Sequence, residues 1–313
     1  MTPSHTAEGF IAMNIHQLIN SRFGVETVMW LGRMLPPKVG YAVADLAASL
    51  ISRQRSLSNV RATRANQWVV HGCRASSAEL DELVRGVFRN AARCVYDFYH
   101  LLDDEAGMMA RVIVDPSFEA LFQRTLRMEE GTIICLPHMA NYDLVGRAMA
   151  LRGMRFQAIT PAVRFSGYQV QNHLRRQMGM LATPASMEAV RMATERLKAH
   201  GTVVTGVDRP LPESRHAPRF FGLPARLPTA HVRLALRLNL PLFVIGVSQE
   251  KDGRYCIWAH GPMEMQRCAD PDEEILLNAE RVLKIVEENI RRFPVQWNMT
   301  FPVWPQVMAD VPK

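Results

Sequence analysis

Two stretches of this sequence place an imidazole five positions ahead of an acid: His138 before Asp143, and His100 before Glu105. A histidine within reach of a carboxylate suits general-base chemistry, because the carboxylate fixes the tautomer and stabilises the imidazolium that forms. Ten histidines and twelve aspartates in 313 residues give roughly 0.4 His-x4-Asp matches by chance, so spacing alone decides nothing. Context separates the two stretches. Thr132 to Leu136 is a short β-branched apolar run, the pattern of a buried strand, and a helical pattern begins near Asn141 directly after it. His138 therefore falls at the carboxyl end of a strand, the edge where open α/β sheets collect ligands and where the next helix offers unpaired N–H groups. Asp143 lies in the first turn of that helix, able to fold back towards His138. His100 ends a long helical pattern with no strand before it, and reads as a solvated helix end.

A second aspartate, Asp208, closes the run Thr202 to Val207 and should reach the same sheet edge, with Arg209 after it. Between the two strands lie Arg164, Arg175 and Arg176, candidates with Asp208 and Arg209 for binding substrate. Each residue has a structural alternative: His138 as a helix cap, Asp143 as a first-turn acid favoured by the helix dipole, Asp208 and Arg209 as an ion pair, Phe220 and Phe221 as core. Several familiar sites are absent, among them the Gly-x-Ser-x-Gly elbow, the Walker loop, Gly-x-Gly-x-x-Gly and His-Glu-x-x-His.

Composition narrows the class. With 48% hydrophobic residues the chain has ample material for a core, and a net charge of +7 with a pI near 9.4 favours anionic partners: nucleic acid, an acidic membrane surface or phosphorylated substrates. Five scattered cysteines without a CxxC pair read as reduced core residues, not as a disulfide frame or zinc site. No charge-free apolar run approaches the ~18 residues of a spanning helix, so membrane contact is expected to be peripheral.

The positioning elements follow in order. Residues 1–55 read as amino-terminal amphipathic helices that associate with a membrane, Val39 to Ile51 being the most apolar, followed by Arg53, Arg55, Arg61 and Arg64; an ordinary basic helical face is the alternative. Residues 56–313 form the main domain. Ser76-Ser77-Ala78-Glu79 is a capping box opening a long helix, and Asp115-Pro116 opens another that Gly131 ends. Strand and helix then alternate: strands at 132–136, 156–160 and 202–207, helices at 141–152, 168–178 and 186–200. Pro210 to Pro228 is a long loop, Thr229 caps a helix to Leu238, and a hairpin turns at Asp252-Gly253 before a last helix from Asp270 to about Arg292. The pattern predicts an α/β fold with a mixed, largely parallel central sheet flanked by helices.

The combination of His138-x4-Asp143 after a strand, Arg-Arg-Gln-Met-Gly at 175–179, Val-Asp-Arg at 207–209, Phe-Phe-Gly-Leu-Pro-Ala at 220–225, Phe293-Pro-Val-Gln-Trp297 and Val303-Trp304-Pro305 resembles the bacterial lipid A biosynthesis acyltransferase family, including its phosphatidylinositol mannoside acyltransferase members. The resemblance spans roughly residues 10–305 in order. It implies a glycerolipid acyltransferase-like fold, and acyl transfer from acyl-CoA or acyl carrier protein to a hydroxyl of a membrane glycolipid or phospholipid. That transfer would take place on an anionic membrane surface, the cytoplasmic face of a bacterial inner membrane, with no cofactor, metal or nucleic acid involved. It further implies that His138 takes the acceptor proton with Asp143 orienting it, and that Arg176, or failing it Arg175, binds phosphate or stabilises the oxyanion. Arg209 after Asp208 follows the mannoside-acylating branch, which weakens lipid A as the acceptor. A glycerol-phosphate or lysophospholipid acyltransferase and a non-catalytic membrane- or nucleic-acid-binding protein are the alternatives.

Overall fold

The computed structural model describes residues 22–160 and 180–313. Four helices come first: α1 (Arg22–Met34), α2 (Pro37–Ser52), α3 (Ser58–Val70) and the long α4 (Ser77–His100). The capping box at Ser76 and Glu79 is formed reciprocally, as its sequence requires. Helices α1 and α2 pack along α4. Gly40 lies under the Tyr96 ring, where a Cβ would come within 2.0 Å of a ring carbon, so only glycine permits this approach. Polar ties add to the contact: the Tyr41 hydroxyl donates to Asp97, Tyr96 donates to the Leu35 carbonyl, and Arg93 forks onto Asp45. His100 stacks on Tyr96 and contacts the Gly32 carbonyl, half-buried between helices, which corrects the expectation of a solvated end.

The basic run after α2 divides. Arg53 and Arg61 are exposed, whereas Arg64 is buried and fastens α3 to Asp81, Ser77 and the Pro312 carbonyl. One arginine of the cluster is thus a structural clamp, and Arg55 shares Asp81 with it.

The chain continues through α5 (Glu105–Ala110), β1 (Val112–Val114), α6 (Pro116–Arg127), β2 (Thr132–Leu136), α7 (Tyr142–Leu151) and β3 (Phe156–Thr160). After the stretch outside the described residues come β4 (Leu181–Pro184), α8 (Met187–Lys198), β5 (Thr202–Gly206), the two-residue pair β6 (Arg219–Phe220) and β7 (Leu223–Pro224), α9 (Ala230–Leu238), β8 (Leu242–Gln249), β9 (Tyr255–Met263) and α10 (Pro271–Arg292). The expected helix at 168–178 lies outside the described residues. Helix α6 stops at Arg127, earlier than Gly131, because Met128 adopts the left-handed conformation and ends it.

Seven strands form one sheet in the order β1-β9-β8-β2-β5-β3-β4. Five of them, from β8 to β4, run parallel; β9 turns back antiparallel on β8, and β1 pairs parallel to β9. The mixed, largely parallel sheet expected from the alternation is therefore present, extended by two short edge strands. Side chains alternate between two apolar clusters, one on each face: Ile134 and Val204 join Leu144, Val145 and Phe156, while Ile133, Cys135 and Val203 join Val282, Val286, Trp297 and Trp304. Being covered on both faces explains why β2 is apolar at consecutive positions instead of every second one.

Candidate active site

β2 and β5 are neighbours in parallel register, with Leu136 opposite Gly206. Two residues past each of these lie His138 and Asp208, so equal overshoot at one sheet edge brings together residues 70 positions apart in the chain. Asp208 Oδ1 is 2.6 Å from His138 Nδ1, and Asp208 Oδ2 accepts from the His138 backbone N–H at 2.8 Å and from the Trp297 indole Nε1 at 2.7 Å. The carboxylate is fully buried, and the imidazole keeps 16% of its side-chain surface open.

Burial alone would raise the Asp208 pKa; the attraction of His138 and the hydrogen bonds from the His138 ring, Trp297 and the His138 backbone outweigh it and hold the group below the ordinary carboxylate range. An ionised carboxylate only accepts, so Nδ1 carries the proton of the neutral ring and Nε2 is left with its lone pair. Tyr142 meets the imidazole edge-on at 5.3 Å between ring centres. Beneath it lies Gly206, where a Cβ would come within 2.7 Å of His138 Cε1; the end of β5 must be glycine for the ring to lie flat against the strand.

The expected pairing of His138 with Asp143 is corrected at Nδ1: the carboxylate there is Asp208. Asp143 sits where the sequence puts it, half-buried in the first turn of α7 behind the N-cap Asn141, but the neighbouring strand delivers its aspartate directly to the ring. Asp208, expected to bind substrate, has no open surface with which to do so. Arg209 is half-buried, with its guanidinium 4.0 Å over the Phe301 ring. Arg164, Arg175 and Arg176 lie outside the described residues.

Phe220 and Phe221 are packing residues. Phe220 is fully buried, stacked on Trp304 at 5.4 Å and edge-on to Trp297, and Phe221 stacks on Trp297 at 6.5 Å. Trp297 and Gly206 belong to the site yet carry no sequence signal of their own roles; the Phe293–Trp297 signature marked the first without saying what it does. Among the described residues no cluster of His, Cys, Asp and Glu could hold a metal ion, and no helix is long and apolar enough to cross a membrane.

A base with one edge open to solvent, backed by a buried carboxylate at the carboxyl edge of an α/β sheet, can deprotonate a hydroxyl that attacks an activated acyl group. The family pattern of the bacterial lipid A biosynthesis acyltransferases matches residues 14–305, and the chain belongs to that family of acyltransferases. It is similar to a phosphatidylinositol mannoside acyltransferase of Mycobacterium tuberculosis, 25% identical over 185 residues that make up 58% of this chain and 56% of the relative. Another protein of that name, from Mycolicibacterium smegmatis, is 21% identical over 234 residues, 74% of this chain and 75% of the relative. The solved 1-acyl-sn-glycerophosphate acyltransferase PlsC of Thermotoga maritima aligns with 82% of this chain and 98% of its own, at 16% identity and a TM-score of 0.36.

Proposed function

We propose that this protein transfers a fatty acyl group from an acyl-CoA or acyl carrier protein thioester to a hydroxyl of a membrane glycolipid or phospholipid. The observation that carries the reading is the His138–Asp208 pair at the sheet edge. His138 Nε2 takes the proton of the acceptor hydroxyl as its oxygen attacks the thioester carbonyl. The tetrahedral intermediate then expels the thiolate, and the imidazolium returns the proton to it; Asp208 stabilises the imidazolium throughout. Arg164, Arg175 and Arg176 serve donor or acceptor phosphate in this reading. The names of the mycobacterial relatives favour an anionic phosphoinositide glycolipid over lipid A as the acceptor, in line with Arg209 following Asp208.

Attachment to a membrane surface, in this reading the cytoplasmic face of a bacterial inner membrane, is supported by α2 only as far as the attachment itself. This helix turns Gly40, Ala44 and Ala48 towards the protein and Val39, Val43, Leu46 and Leu50 outward, with Trp30 and Met34 of α1 also exposed. Small residues inside and large apolar ones outside invert the usual arrangement of a surface helix. Each Val or Leu inserted into lipid gains about 1.5–3 kcal/mol, enough in sum for reversible attachment, and Arg33, Lys38 and Arg53 are exposed nearby for anionic headgroups.

The test is release of CoA from palmitoyl-CoA with and without membrane lipid extract, for wild type and His138→Ala. Lipid-dependent release that the substitution abolishes, in a variant still folded by circular dichroism, is the expected result. Release unchanged by the substitution would sink the assignment.

A further inference from the structure

The signature Phe293–Trp297 takes no direct part in the mechanism above, yet it runs against the loop that carries His138. After α10 the chain makes a single 3-10 turn at Pro294–Gln296 and then lies alongside residues 138–140. The ties are dense. The Ala140 N–H donates to the Gln296 carbonyl at 2.8 Å, the Asn298 N–H donates to the His138 carbonyl at 2.8 Å, and the Asn298 side-chain amide donates to the Ala140 carbonyl at 2.9 Å. Gln296 is itself held at both ends of its amide, accepting from the Gln249 N–H and donating to the Gln249 carbonyl. The loop it braces is strained, with Ala140 at a φ of 45°.

Trp297 stands apart within this strap because its side chain reaches Asp208 itself. A carboxylate on a single bond is a broad two-fold rotor and does not choose its own orientation. Here two N–H groups, the His138 backbone and the Trp297 indole, converge on Oδ2. That leaves Oδ1 to face Nδ1 alone. The indole is immobilised in turn by Phe220, Phe221 and Trp304, with ring centres 6.0, 6.5 and 6.2 Å away.

We infer that Trp297 is a positioning residue for acyl transfer: its indole N–H, held by the aromatic nest and the carboxyl-terminal strap, locks the Asp208 carboxylate in the orientation that presents Oδ1 to the His138 ring. The inference rests on His138 being the base. It gives the aromatic signatures one shared purpose, since the rings at 220, 221 and 304 hold the indole that fixes the acid, a packing role that a phenylalanine ring at 304 keeps.

The control lies in the same nest. Trp304 is fully buried and its indole nitrogen has no hydrogen-bond partner among the described residues, so Trp304→Phe makes the same chemical change without touching Asp208. Trp297→Phe keeps the ring and removes the donor. Without that donor the carboxylate pulls harder on the Nδ1 proton and favours the imidazolium. Expected for Trp297→Phe are a kcat lower by about 10- to 100-fold with KM little changed, and an acid limb of kcat/KM moved up by about half a pH unit; Trp304→Phe leaves that limb in place. Wild-type kcat and limb in Trp297→Phe, or equal losses in both variants with no movement of the limb, would overturn the inference. Should Trp297→Phe fail to fold, the wild-type protein decides: the Trp297 indole N–H resonance must follow the titration of His138, and one that does not respond overturns it. Activity persisting in His138→Ala would instead remove the reading beneath, whereas a silent His138→Ala beside a wild-type-like Trp297→Phe removes only this inference.

Discussion

Two histidine–aspartate pairs in this molecule have opposite burial. At the sheet edge the carboxylate is sealed in and the imidazole of His138 keeps access to solvent. In the long loop, His216 is the buried partner, with 7% of its side chain exposed, and Asp272, at the start of α10, is 44% exposed and shared with Arg215. A sealed carboxylate depends wholly on the donors around it, so its charge acts at full strength on one ring. A wet one is screened and shared; its pair with His216 pins the loop to α10 and adds little energy. The spacing of residue types does not separate the two pairs. The direction of burial does, because only an imidazole facing outward can meet a substrate.

Asp208→Asn should show the largest effect. Two N–H groups already claim one side-chain position, so the carboxamide keeps its oxygen there and turns its NH2 to the ring. His138 Nδ1 must then accept, Nε2 takes the proton, and the base is lost. Transfer activity falls on the order of a thousandfold in kcat while circular dichroism stays native, checked by single-turnover acyl transfer.

His231 in α9 gives a third kind of histidine, buried with neither ring nitrogen bonded among the described residues. Burial, with the nearby Arg233 adding to it, pushes its pKa down from 6.5 to about 4. The unfolded chain therefore binds the proton first. Stability from this residue is intact above pH 6.5, declines as the pH falls and is gone by about pH 4, a loss of about 3 kcal/mol. Asp208 acts lower on the scale: with its pKa held down, its contribution is present above the ordinary carboxylate range and is lost only as the pH falls through its own lowered value. Urea titrations from pH 7 to 4 should show the decline in wild type and a flatter profile in His231→Leu.

Smaller effects sharpen the contrast further. Gly206→Ala displaces the His138 ring without removing any partner, and should lower kcat about tenfold with a Tm within a few degrees of wild type, measured by steady-state kinetics and calorimetry. Asp272→Asn should change kcat/KM less than about twofold and leave Tm close to wild type in the same assays.

Much of this was legible in the sequence, and the exceptions share a cause. β2, β3, the β8–β9 turn and α10 announce themselves through apolar runs, Asp-Gly and a proline after an N-cap, all local signals. β1 and β4 are three and four residues long, too short to show a period. His138 was legible because strand, loop and helix follow one another directly. Chain order points to Asp143, the carboxylate nearest in sequence, and does not reveal that β2 and β5 lie side by side; their register is what brings Asp208 to Nδ1. Trp297 arrives from 159 residues further along the chain than His138, by a route no local pattern encodes.

Catalysis by the His138–Asp208 pair turns on where one proton sits. Nitrogen-15 NMR of ring-labelled protein, recorded above the midpoint of the His138 titration, reports the tautomer directly. Expected are a proton on Nδ1 and a bare Nε2 in wild type, reversed in Asp208→Asn. A proton on Nε2 in the wild-type protein would contradict this mechanism, because no lone pair would then face the substrate.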